Sequence, residues 1–127
     1  MSESKSMMTI LLLISDTAVR EIIRDILTRE GYLVIPTSEI GVAIDRLKEL
    51  KPDLLLIRPD IHSMSGHEAA LYLRTKCPGM RVLMVGGLPE HPRLDDRESL
   101  QNIHVFPKPF APQELIGKVE EMLALPV

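Results

Sequence analysis

From one end of the chain to the other, apolar runs alternate with segments of helical periodicity, and this rhythm limits the fold more than any other feature. The first run is Met8 to Ile14. A continuous apolar run, without polar alternation, marks a strand covered on both faces. Val19, Ile22, Ile23, Ile26 and Leu27 then recur at helical spacing, and Gly31 stops that helix. "YLVIP" reads as a second strand closed by Pro36. Ile40, Ala43, Ile44 and Leu47 predict a second amphipathic helix, with Ser38 as its N-cap. "DLLLI" is a third strand, and "GHEAALYLRTK" a third helix ended by Pro78-Gly79. "RVLMV" is a fourth strand. "GGLPEHPRLDDRESLQN" is polar and Pro-rich, so any helix within it is short. "IHVF" is a fifth strand, and Glu114 to Leu125 a last helix with Pro112 near its first turn.

Strand followed by helix, repeated five times, implies a parallel sheet with helices on both faces. The expected fold is α/β: a single (βα)5 doubly wound parallel sheet, flavodoxin-like, with strand order 2-1-3-4-5. The 127 residues suit one domain. Residues 1–8 read as a polar N-terminal tail and the start of strand 1, and 9–125 as the domain. In such a sheet the ligand crevice lies outside the carboxyl ends of strands 1 and 3. Here those ends are Ile14-Ser15-Asp16 and Ile57-Arg58.

Charge and composition narrow the function classes. The net charge is −3, whereas a duplex-binding module is normally basic, so no nucleic-acid partner is expected. Tyr32, Tyr72, Phe106 and Phe110 are the aromatics, too few for a single-strand stacking platform. Cys77 is the lone cysteine, which fits a reducing compartment. The first apolar run is too short for a signal peptide core, meets Asp16, and lacks a small-residue cleavage site. No segment approaches the length of a membrane span. The expectation is a cytoplasmic protein without membrane association. His62, His67, His91 and His104 lack metal-ligand spacing. Ser63 and Ser65 have no evident base partner, and Gly86-Gly87 lacks the spacing of a phosphate loop.

"LLLIRPDIHSMSG" sets an arginine, Arg58, at the end of a buried strand, where α/β proteins place their chemistry. The stretch "VREIIRDILTREGYLVIPTSEIGVAIDRLKELKPDLLLIRPDIHSMSGHEAALYLR" contains it and resembles the receiver domain of two-component response regulators. Pro52-Asp53, Met64, Gly66 and Lys108-Pro109-Phe110 fall in the family's order. "VLMVGGLPEHP" resembles the variant often fused to hybrid sensor kinases.

The resemblance implies a phosphoryl-accepting aspartate after strand 3 and an acidic pair after strand 1 that holds Mg²⁺. It also implies a Ser or Thr after strand 4 and a lysine after strand 5. Carried over position by position, the acceptor falls on Arg58, a permanent cation that only donates hydrogen bonds. The acidic pair falls on Ile14 and Ser15 in a gapless alignment, or on Ser15 and Asp16 if the loop is one residue shorter. The hydroxyl position falls on Gly86, and the lysine is Lys108. The resemblance therefore implies a degenerate receiver.

Charge balance leads further. Arg58 and Lys108 face at most Asp16, so Mg²⁺ binding is expected to be weak or absent, with no cofactor and no metal site. Arg58 is expected to pair with Asp16, or the Arg58/Lys108 pocket to take a small anion. The expected function is a signal-transduction module, not an enzyme, without catalytic residues. It would contact a sensor kinase or a signalling output protein independently of phosphorylation. A homodimer through helix 4, strand 5 and helix 5, with Leu88, Leu94, Leu100 and residues around Leu115 on the face, is a further expectation by analogy. The alternatives are a phosphoacceptor using a displaced acid, Asp16 or Asp60, and an anion-sensing domain using Arg58 and Lys108.

Overall fold

The structure, a computed structural model, describes residues 8–58, 60–61, 64–85, 103–106 and 112–124. In chain order its elements are β1 (Thr9–Leu13), α1 (Thr17–Arg29), β2 (Leu33–Thr37), α2 (Ile40–Glu49) and β3 (Leu54–Ile57). Next come β4 (Asp60–Ile61), β5 (Met64–Ser65), α3 (Gly66–Lys76), β6 (Arg81–Val85), β7 (Ile103–Phe106) and α4 (Pro112–Ala124). Five strands form one parallel sheet in the order β2-β1-β3-β6-β7. This is the flavodoxin-like order 2-1-3-4-5 expected for an alternating α/β chain. Four helices lie among the described residues. The polar stretch between β6 and β7, where the remaining helix of a (βα)5 count would fall, is outside them. The rhythm did not reveal β4 and β5, a short antiparallel ladder pairing Asp60 with Ser65 and Ile61 with Met64.

The sheet divides the core into two layers by residue parity. Ile10, Leu12, Leu54, Leu56, Leu83 and Val85 face one layer, against Ile23 and Leu27 of α1 and Leu115, Val119 and Met122 of α4. Leu11, Leu13, Leu55, Ile57, Val82 and Met84 face the other, against Ala43 of α2 and Ala69, Ala70 and Leu73 of α3. Strand side chains point alternately to the two sides, so a strand buried on both must be apolar throughout. All four residues of β3 are fully buried, as the unbroken run "LLLI" requires.

Local signals explain most of the ends. Gly31 has φ 98, a left-handed value that glycine reaches without a Cβ penalty, and its N–H donates to Thr28 O at 3.0 Å. Pro112 is the first residue of α4, where its missing N–H costs nothing. At the amino edge Asp53 ties three strands together. Its Oδ2 and its N–H meet the backbone of Thr9, each at 2.8 Å, and its carbonyl accepts from Arg81 N–H at 3.2 Å.

Two local expectations are corrected. Pro36 does not close β2; it lies inside the strand, paired in register with Leu12. Leu33 N–H donates to Met8 O and Thr37 O accepts from Ile14 N–H, each at 3.0 Å, so alternate peptides of β2 bond inward. Pro36 takes an outward position, where the edge strand needs no donor. Nor is Ser38 the cap of α2. Glu39 occupies that position without a side-chain capping bond, and Ser38 instead accepts from Ser15 Oγ at 3.4 Å.

Leu56 is fully buried, whereas Ile22 is 59% exposed on α1. Leu56→Ala is expected to cost about 2–5 kcal/mol in urea unfolding, through lost transfer energy and a cavity. Ile22→Gln is expected to stay within about 0.5 kcal/mol of the parent.

Candidate functional site

The carboxyl ends of β1 and β3 lie side by side. Leu13 pairs with Ile57, so Ile14 and Arg58 are the next residues along each strand. Ile57 also pairs with Met84, which brings Val85 level with Arg58 on the other side. Ile14 and Val85 are both fully buried and apolar. Arg58, between these neighbours in register, is half-buried.

The end of β1 is held by a chain of hydrogen bonds. Ile14 N–H donates to Thr37 O at 3.0 Å, extending the β1–β2 ladder past the strand. Ser15 Oγ turns toward Ser38 O of the β2–α2 connection, on the side of β1 away from β3. Asp16 is the N-cap of α1, and its Oδ1 accepts from Val19 N–H at 3.1 Å. A carboxylate suits this position because the first turn of a helix leaves donors without intrahelical partners. Arg20 then reaches back from α1. Its Nη1 donates to Ile14 O at 2.8 Å and to Ser15 O at 3.4 Å, and its Nη2 to Thr17 Oγ1 at 3.4 Å.

Sequence reasoning missed Arg20. A signal for it does exist: cations are disfavoured near a helix N-terminus, so an arginine there invites a search for a local acceptor. The expected Arg58–Asp16 pairing has a competitor in the capping bond, which already engages the Asp16 carboxylate.

Asp60 lies in β4, two positions beyond Arg58 and in register with Ser65. Gly86 and Lys108 lie outside the described residues, as do Leu88, Leu94 and Leu100 of the expected dimer face. Leu115 itself is fully buried in the core, while Pro112, Gln113 and Glu114 before it are exposed. A buried leucine packed under its own helix cannot itself meet a partner.

A divalent metal wants hard oxygen ligands, mostly carboxylates. Among the described residues at the ends of β1 and β3, Asp16 is the single carboxylate, and its Oδ1 caps α1. Ile14 offers only its backbone oxygen, already taken by Arg20; Ser15 is turned away; Arg58 is a cation. Among the described residues no group of three or more His, Cys, Asp or Glu could hold a metal ion. Among them, too, no helix is long and apolar enough to cross a membrane.

Cys77 lies at the opposite, amino edge of the sheet, half-buried against the α2–α3 layer. Burial pushes its thiol pKa up; the Lys51 charge pulls it down and the Asp53 charge pushes it up. A raised pKa lowers the thiolate fraction at any given pH, which is the reverse of an activated nucleophile. Iodoacetamide should therefore alkylate Cys77 more slowly than a free cysteine at about pH 8, and urea unfolding should restore the ordinary rate. At the other edge, Asp16→Ala is expected to cost about 1 kcal/mol in urea unfolding by removing the cap, while Asp16→Asn retains most of it.

Residues 10–120 match the response regulator receiver domain family. The chain is 27% identical over 117 residues to response regulator receiver protein CpdR of Brucella abortus, covering 92% of this chain and 98% of the relative. It is 24% identical over 116 residues to sporulation initiation phosphotransferase F of Bacillus subtilis, covering 91% of this chain and 94% of the relative. A CheY-like receiver domain protein of Methanospirillum hungatei has a solved structure that superposes with TM-score 0.77 at 26% identity, covering 91% of this chain and 93% of that one. The parallel sheet, the strand-end crevice and a match spanning most of the chain agree: this protein belongs to the response regulator receiver domain family of two-component signalling.

Proposed function

We propose that this receiver domain signals through protein contacts that do not depend on phosphorylation of its own chain. The carrying observation is Arg58 directly after Ile57, at the end of the central strand β3. The receiver resemblance puts the phosphoryl acceptor at this position. A guanidinium is permanently charged, donates only, and has no oxygen with which to attack phosphorus. Ile14 and Ser15 support the same reading, because neither side chain is an acid that could draw Mg²⁺ to the crevice. Gly86, without a hydroxyl, and Lys108, which keeps its charge, complete the degenerate pattern by sequence.

Receivers interact with kinases and output proteins, and a protein of that kind is the proposed partner here. The (βα)5 count is completed, on this reading, by a helix between β6 and β7. No reaction is assigned to the domain. The competing possibility, a phosphoacceptor at a displaced acid, would need Asp16 to give up its cap or Asp60 to act from the β4–β5 hairpin.

The test is incubation with acetyl phosphate and MgCl₂, followed by intact mass measurement. The expected spectrum is that of the unmodified chain. An acid-labile phosphate adduct mapped to Asp16 or Asp60 would overturn the proposal. Arg58→Asp alone is expected to remain unmodified, because the positions after β1 would still lack a second acid.

A further inference from the structure

We infer that Arg20 is a latch that presets the carboxyl edge of this domain by holding the β1–α1 loop in one conformation. The inference deepens the phosphorylation-independent reading and rests on it for its consequence: an edge held by the chain itself requires no ion or phosphoryl group to set it. The underlying problem is a buried carbonyl. Ile14 is fully buried one residue past the end of β1, and its N–H is already committed to Thr37 O. Its carbonyl must still find a donor, since a buried polar backbone group without a partner is costly.

Arg20 supplies that donor from α1, one turn beyond the cap, with Nη1 at 2.8 Å. The same nitrogen also meets Ser15 O at 3.4 Å. Nη2 meets the Thr17 hydroxyl at 3.4 Å, so the planar guanidinium spans the loop from its first residue to the start of the helix. A fork with several fixed donors can serve such a set together, whereas an ammonium on a flexible stem is a single point of charge.

The latch reaches beyond its own loop. Ser15 is tied through its hydroxyl to Ser38 O, and Ile14 through its N–H to Thr37 O. Release of the guanidinium therefore loosens the β1–α1 loop and its ties to the end of β2 together. Asp16 adds a second restraint by capping Val19. Opening the loop requires both the fork and the cap to let go, and water must enter beside a buried isoleucine. In a receiver without a phosphoryl acceptor, such a device leaves the edge in one state for a partner to read.

Amide hydrogen exchange tests the latch in the full chain. The reporters are Ile14, Val19 and Arg20, whose N–H groups are bonded within or beside the loop. Arg20→Gln is expected to speed exchange at these amides by about tenfold or more, while Leu55 and Leu83 in the sheet change much less. Arg20→Lys keeps the charge and is expected to loosen the same amides partway, because the fork is lost. Adding MgCl₂ to about 10 mM should slow none of them, in the parent or in either variant.

Exchange that is unchanged in Arg20→Gln, or that rises equally at Leu55 and Leu83, would sink the latch. So would full protection in Arg20→Lys, or a loop that Mg²⁺ tightens. A phosphate adduct in the mass experiment would strike the functional reading alone, since the exchange pattern does not depend on it.

Discussion

Burial of β1 and β3 on both faces is the constraint on which everything else depends. Each successive residue of these strands alternates between the α1–α4 layer and the α2–α3 layer. Beyond Thr9, the half-buried first residue of β1, both strands are apolar and fully buried, and a polar side chain there would be buried at a cost. The consequence is that chemistry is confined to the ends, where the chain leaves the sheet. At the amino edge the polar groups are structural, with Asp53 linking β1, β3 and β6 through backbone bonds. At the carboxyl edge they form the crevice in which the family places its function.

On the proposed reading, that crevice differs from a phosphoryl-transfer site in the kind of charge it carries. Phosphoryl transfer needs an oxygen nucleophile and carboxylates that gather a divalent cation around the incoming group. The apolar run of β1 continues through Ile14, and β3 ends on Arg58, so the two central strands deliver a hydrocarbon and a permanent cation. Arg20 brings a second guanidinium to this edge, but its donors are directed at the backbone oxygens of Ile14 and Ser15 and at the Thr17 hydroxyl. The edge is thus organised by hydrogen bonds internal to the chain. On the proposed reading, a preset surface of this kind suits recognition by a protein better than it suits a reversible chemical switch.

How far these features could be read in advance depended on the range of the interaction behind them. "LLLI" and "RVLMV" announced fully buried strands because burial on two faces leaves an unbroken apolar signature. Gly31 and Pro112 marked helix ends because backbone geometry at those points is a local matter. Pro36 misled, since a proline inside a strand is tolerated only where its peptide faces outward, and that depends on which neighbour the strand has. Ser38 misled for a similar reason: its role depended on Ser15, far away in the chain. Arg58 was legible as an oddity, a charge at the end of an apolar strand. Arg20 left only the signal of a cation in the first turns of a helix, because two of its three acceptors are backbone carbonyls, which every residue possesses.

Legible in the sequence alone were the fold class, the five strands of the parallel sheet and the identity of the group at the end of β3. These follow from periodicity and residue chemistry, which act over one element at a time. Only the tertiary structure decided which strands are neighbours, and hence that Ile14 and Val85 flank Arg58. Only it decided that Asp16 caps a helix, that Ser15 is turned toward β2, and that Arg20 closes the loop. Each of those assignments depends on distance and direction between groups brought together by packing, and hydrogen bonds form only within a few tenths of an ångström of the right separation.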